Sequence, residues 1–267
     1  MPDISLIASA IRKELFPDFM DSIHNTETAN IEVIFAGPLP PESVRGIKNL
    51  TYIQTGNIKP AQCYEVARRN ATGEVIVWVA DDCEFVGGIL TKAFKYWKSY
   101  NDKRIILSLQ TKESGYGLPQ GKLFDMNIHR FFGGKKDAPL MAPLGMVSRE
   151  WLEELGGFDR RYICGQYEND VVMRSFSRGG TVLIFGDDKC FIDIDHLGKS
   201  IRAGECKGQM GFIKRPFAAG YKSDRAVLES TWWSGVRFYS SPKSFEPYDE
   251  NYLYTQSQSN NISERWI

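Results

Sequence analysis

Apolar residues in this chain fall into two alternating patterns. Short continuous runs have the length of buried strands: "ISLIA" (4–8), "IEVIFA" (31–36), "VIVWV" (75–79) and "RIILSL" (104–109), with "TYIQ" (51–54) a weaker member. Between them the apolar positions recur every three or four residues. Pro17 opens one such stretch and puts Phe19, Met20 and Ile23 on one face; Pro60 opens the next, "PAQCYEVARRN". A third, "GILTKAFKYWKSY", spaces Ile89, Leu90, Ala93, Phe94 and Trp97 as a helix does. Strands alternating with helices predict an α/β fold whose central sheet is mostly parallel and flanked by helices on both faces.

The second half reads differently. Residues 110–138 are polar and rich in glycine, with no period, and a stretch of that length is usually a functional loop. After it come "APLGMVS", the helix candidate "REWLEELGGF", and "NDVVMRSFSR", a helix ended by Gly179 and Gly180. The apolar runs "TVLIF" and "CFIDID" follow, then His196, and the chain closes on the polar tail "YTQSQSNNISERWI".

Composition narrows the function classes. Lysine plus arginine equals aspartate plus glutamate at 33 each, so the net charge is zero and nothing points to nucleic acid as a partner. No apolar run is long enough for a transmembrane segment and no signal-peptide pattern opens the chain. The 5 cysteines include no C-x-x-C pair, which speaks against a zinc cage and for reduced thiols in a cytoplasmic protein.

Chemistry first shows where "VIVWV" runs into Asp81 and Asp82. Ligands of an open parallel sheet collect beyond the carboxyl ends of its strands. Two adjacent carboxylates there repel unless something positive joins them, and neither has a basic neighbour in sequence. A divalent cation meets the need, since Mg²⁺ takes one or two carboxylates and completes its shell with substrate phosphates. A solvated turn or helix cap is the plainer alternative.

Several stretches together tilt the balance. "ISLIASAIRKELFPDFMDSI", "IEVIFAG", "NIKPAQCYEVARRNATGEVIVWVADDCEF", "APLGMVSREWLEELGGFD" and "YENDVVMRSFSRGG" follow one another in order. Over roughly residues 4–200 the chain resembles the family 2 glycosyltransferases of the GT-A fold. The resemblance implies a metal-dependent, inverting transfer of a sugar from a nucleotide-diphospho-sugar donor to a hydroxyl acceptor, with Mn²⁺ or Mg²⁺ as cofactor. It divides the chain into a donor-binding half (1–110), an acceptor and catalytic half (111–220) and a C-terminal extension or lid (221–267). It puts Ala8, Ser9 and Ala10 beside the donor and makes Asp82 the direct metal ligand, with Asp81 on the ribose or sharing the ion. His196 falls where similar enzymes approach the metal or diphosphate, and Lys199 and Arg202 lie just beyond it.

The sequence departs from the family pattern at the nucleobase. Gly37 and Pro38 stand where an aspartate is usual, and Tyr64 replaces the usual arginine, with Arg68 one turn on as its substitute. Aligning "DVVMR" with the family's helix gives Asp170 a supporting role and makes Glu168 the catalytic base. Residues two apart on a helix point about 200° away from each other, so only one of them can face substrate well. Trp232 and Trp233 suit core packing better than sugar stacking. Two other readings remain: a GT-A fold that binds nucleotide or glycan without catalysis, and a sugar-phosphate nucleotidyltransferase. The latter wants a glycine-rich, arginine-containing loop after the first strand, and "SAIRKELF" has no glycine.

Overall fold

A computed structural model describes residues 1–55, 58–112, 139–194, 214–233 and 239–253, with backbone alone for 214–222 and 251–252. Its centre is a sheet of strands β1 (Ile4–Ser9), β2 (Ile31–Gly37), β3 (Leu50–Gln54), β4 (Val75–Trp78), β6 (Ile105–Leu109), β8 (Gly145–Ser148) and β9 (Thr181–Phe185). They lie in the order β3-β2-β1-β4-β8-β6-β9. β1 pairs parallel with both neighbours, Ile4 facing Ile31 on one side and Val75 on the other. These strands are buried on both faces, which is why they read as unbroken apolar runs.

Helices of ten or eleven residues carry the chain back between parallel strands. α1 (Phe16–Thr26) buries Phe16, Phe19, Met20 and Ile23, so it starts one residue before the proline that signals it. α2 is Pro60–Arg69, and α3 (Ile89–Ser99) buries the five apolar residues spaced for that purpose. Glu27 accepts hydrogen bonds from the Leu90 and Thr91 amides, supplying acceptors to donors that the first turn of α3 leaves unsatisfied.

Two features lie outside the sequence expectation. β8 runs antiparallel to both β4 and β6 and so interrupts the parallel order. In addition, β5 (Glu84–Val86), β10 (Phe191–Asp193) and β7 (Thr111–Lys112) form a small second sheet in the order β5-β10-β7. The chain leaving Asp82 is thereby held as a strand.

The remaining elements are α4 (Arg149–Glu154), α5 (Tyr167–Ser177), α6 (Lys214–Trp232) and α7 (Glu250–Leu253). Among the described residues no helix is long and apolar enough to cross a membrane. Cys63, Cys83, Cys164 and Cys190 are free thiols. Residues 113–138, within the polar loop, and the tail 254–267 lie outside the described residues.

Candidate functional site

Asp81 and Asp82 follow β4 at the carboxyl edge of the sheet and are 1% and 4% exposed. Two like charges so deeply buried need a counter-charge. The fold brings one from far upstream. Arg12, on the loop leaving β1, donates from Nε to Asp81 Oδ1 at 2.7 Å, and from Nη2 to the same oxygen. Its Nη1 reaches Asp82 Oδ2 at 2.6 Å. The backbone amides of Ile11 and Arg12 complete Asp81 by donating to Oδ2 at 2.8 and 2.9 Å. Asp81 is therefore engaged through both oxygens. Asp82 Oδ1 is buried and has no hydrogen-bond partner among the described residues.

Beside this pair the ends of β1, β2 and β3 pack closely. Ala8 and Ala10 are fully buried. The Tyr52 hydroxyl donates to Ala10 O at 2.9 Å and accepts from the Leu39 amide at 3.1 Å. Burial pushes the Tyr52 phenol up to about 12 and the Cys63 thiol up to about 11, so both stay neutral near pH 7. Ser9 and Thr55 hydrogen-bond the Cys63 thiol, which makes it a packed thiol and not a nucleophile. A Cβ on Gly37 would come within 2.2 Å of Ala10 O and 2.5 Å of the Tyr52 hydroxyl. An aspartate cannot stand at position 37 in this packing.

Tyr64 and Arg68, the two candidates for the missing arginine, are both tied inward. The Tyr64 hydroxyl donates to Val79 O at 2.6 Å, while its ring lies 4.8 Å from that of Tyr167 at the start of α5. One side chain thus spans from the strand before the acidic pair to the helix of the second carboxylate pair. Arg68 donates through Nε and Nη2 to Glu65, at 2.8 Å each. Glu65 also accepts from Arg69 Nε and from the Phe158 amide. This network accounts for the Gly-Gly-Phe-Asp run: Gly157 has φ +74°, and a Cβ there would meet Glu65 Oε2 at 2.6 Å. Phe158 packs edge-on against Tyr64, Trp78 and Tyr167. Asp159 binds Arg161 and the Glu246 amide.

At α5 the two acids separate as helix geometry requires. Asp170 is 1% exposed and accepts from Arg174 Nε at 2.7 Å and Trp232 Nε1 at 2.8 Å. Arg174 in turn holds Leu155 O and Gly157 O, two carbonyls just beyond the end of α4. Glu168, on the other side of the helix, is half-buried. The approach to the helix is unusual, because Gln166 has φ +64°, a left-handed conformation uncommon for a residue with a side chain. Asp224 of α6 holds that approach: its carboxylate accepts from the amides of Ile163, Cys164 and Gly165 at 2.8–2.9 Å. Burial pushes the Asp224 carboxyl above its ordinary value, and the amide bonds only partly offset that.

No protein-family model matches the chain, and no curated protein matches it by sequence. Solved structures do. TarS from S. aureus, residues 1–349, crystallised with UDP-GlcNAc, aligns with a TM-score of 0.54 at 15% identity, over 72% of this chain and 58% of that one. The mannosyltransferase PcManGT from Pyrobaculum calidifontis, in complex with GDP-Man and Mn²⁺, aligns with a TM-score of 0.54 at 17% identity, over 84% of this chain and 63% of that one. The chain thus spans less than two thirds of the structures it matches. The fold is GT-A.

Within this GT-A frame the structure brings Asp81, Asp82, Ala8, Ser9 and Ala10 to one edge, with Tyr64 connecting that edge to the start of α5. His196, Lys199 and Arg202 lie outside the described residues. Trp232 is fully buried and Trp233 half-buried, and the Trp232 indole also serves as a hydrogen-bond donor to Asp170. Sequence reasoning missed Arg12 and Asp224. Arg12 carried a signal, an arginine on the loop after the first strand, but nothing local tied it to carboxylates 69 and 70 residues away.

Proposed function

We propose that this protein is a glycosyltransferase that moves a sugar from a nucleotide-diphosphate donor to a hydroxyl acceptor, with inversion and with Mn²⁺ or Mg²⁺. The observation that carries the reading is Asp82 Oδ1, a buried carboxylate oxygen at the strand edge with no partner among the described residues. A buried anionic oxygen is costly unless a cation or donor satisfies it when the site is filled. The residues present fit a divalent ion, which Asp82 would hold beside the diphosphate of the donor. When bound, that ion supplies Lewis-acid stabilisation of the departing diphosphate.

The chain's own residues do the rest. Asp81 fixes the loop of Ile11 and Arg12 against the site through its amide bonds. Glu168 removes the acceptor proton, since Asp170 is committed to Arg174 and Trp232. His196, Lys199 and Arg202 enter from their sequence positions alone, as contacts to the leaving diphosphate. The aligned TarS and PcManGT complexes make UDP- and GDP-sugars the first donors to try.

The test is a thermal-shift screen of nucleotide-sugars with Mn²⁺ and with EDTA, because a bound donor raises apparent stability by mass action. Stabilisation by one donor in Mn²⁺ alone, lost in Asp82→Asn, is the expected result. Equal nucleotide affinity in EDTA and in Mn²⁺ overturns the metal assignment. Donor binding without any transfer or hydrolysis leaves a binding module instead of an enzyme.

A further inference from the structure

The counter-charge on the acidic pair is a residue of the chain itself, and its placement has a consequence for how a metal ion enters. The Arg12 guanidinium occupies Asp81 Oδ1 and Asp82 Oδ2, while two backbone amides occupy Asp81 Oδ2. Among the described residues, a cation arriving by itself finds one carboxylate oxygen without a partner, Asp82 Oδ1, and a positive group already bound to the other oxygen of the same carboxylate. Among the described residues no group of three His, Cys, Asp or Glu side chains could hold a metal. That is a poor site for a free divalent ion. Among the described residues it is equally poor for a free diphosphate, because Asp81, Asp82 and Arg12 together carry a net negative charge. Together the two ligands correct each other. The ion reverses the local charge, and the phosphate oxygens supply the ligands that Arg12 withholds.

We propose that Arg12 is a built-in counter-ion that makes divalent-metal binding at Asp82 conditional on the diphosphate. This rests on the transferase reading of the site and extends it to the order of binding. The metal and the nucleoside diphosphate bind as a coupled pair, and by linkage each raises the affinity of the other by the same factor. Arg12 is the residue that sets that factor. Removing its charge strengthens the site for free metal and weakens the coupling.

The experiment titrates the 267-residue chain with Mn²⁺, followed by the electron paramagnetic resonance signal of the free ion, with and without UDP or GDP. Wild type is expected to bind free Mn²⁺ weakly and to gain affinity sharply with the nucleotide. Arg12→Gln, which keeps a hydrogen-bonding side chain but no charge, is expected to bind Mn²⁺ alone at least about tenfold more tightly than wild type. Adding Asp82→Asn to that variant should abolish the gain. Arg12→Lys, a point charge that cannot fork between two carboxylates, should fall in between and serves if Arg12→Gln does not fold. Free-Mn²⁺ affinity in both variants no tighter than wild type overturns the proposal, as does wild type binding Mn²⁺ equally well with and without nucleotide. If neither UDP nor GDP binds under any condition the donor reading falls instead, while the free-ion titration still decides the role of Arg12.

Discussion

Asp81 and Asp170 lie in different halves of the chain, yet each commits both carboxylate oxygens to an arginine and to further N–H donors. Each also has an acidic neighbour held differently: Asp82 keeps one buried oxygen with no partner among the described residues, and Glu168 is half-buried on another face of its helix. The pairs differ in where the arginine comes from. Arg174 sits one helical turn from Asp170, whereas Arg12 reaches Asp81 across 69 residues. The local pair is nearly closed, with Arg174 1% exposed, and forms part of the core. The distant pair lies at the edge, with the Arg12 side chain 17% exposed. A buried pair stiffens a scaffold; an edge pair can be rearranged by a ligand.

The largest expected effect tests the scaffold side. Asp170→Ala leaves Arg174 charged and buried, which costs about 3–5 kcal/mol. Guanidinium unfolding should show the loss, and replacing both residues by apolar ones should recover much of it. A loss below about 1 kcal/mol would show that Asp170 is not the structural member of its pair. Next comes the functional side: Glu168→Gln should lower kcat by roughly 10²–10⁴-fold with donor binding nearly unchanged. Wild-type turnover in that variant, with turnover lost in Asp170→Asn, would exchange the two roles.

A third pair of variants compares the neighbours at the edge. Asp81→Asn loses the charge that holds Arg12 and two backbone amides, so stability should fall by about 1–3 kcal/mol. Asp82→Asn should melt closer to wild type but lose the Mn²⁺ dependence of nucleotide binding. Equal melting temperatures in the two variants would erase the distinction. An effect of similar size belongs to Trp232→Phe, which keeps an aromatic ring but removes one hydrogen bond to a carboxylate, costing about 1.5–3 kcal/mol. Its readout is the denaturation midpoint, together with kcat, since Asp170 anchors the helix that carries Glu168.

This contrast also explains what could be read from the sequence. The strands of the first half and the helices between them were legible because burial on both faces or on one stripe leaves a periodic trace within ten residues. The bond between Asp170 and Arg174 joins residues one helical turn apart, a pairing that local spacing can carry. The reversed strand β8 was not, because "APLGMVS" is equally apolar in either direction and strand direction depends on how the whole chain crosses over. Arg12 and Asp224 were hidden for a related reason. Their bonds to Asp81 and to the loop at 163–165 join residues about 60–70 apart, and a separation of that size leaves no mark on local pattern.

Gly37 has a bearing on how the proposed donor site could change over time. Single substitutions are the steps open to an evolving gene, and the step from glycine to aspartate at this position is blocked by the backbone carbonyl of Ala10 and the hydroxyl of Tyr52. Shortening Tyr52 first removes only half of the obstacle and strips Ala10 O and the Leu39 amide of their partner. An aspartate at the end of β2 is therefore reachable only through an intermediate that is worse than either endpoint. Directed evolution that mutates position 37 alone should return glycine, and libraries that vary positions 10, 37 and 52 together are the ones with a route out.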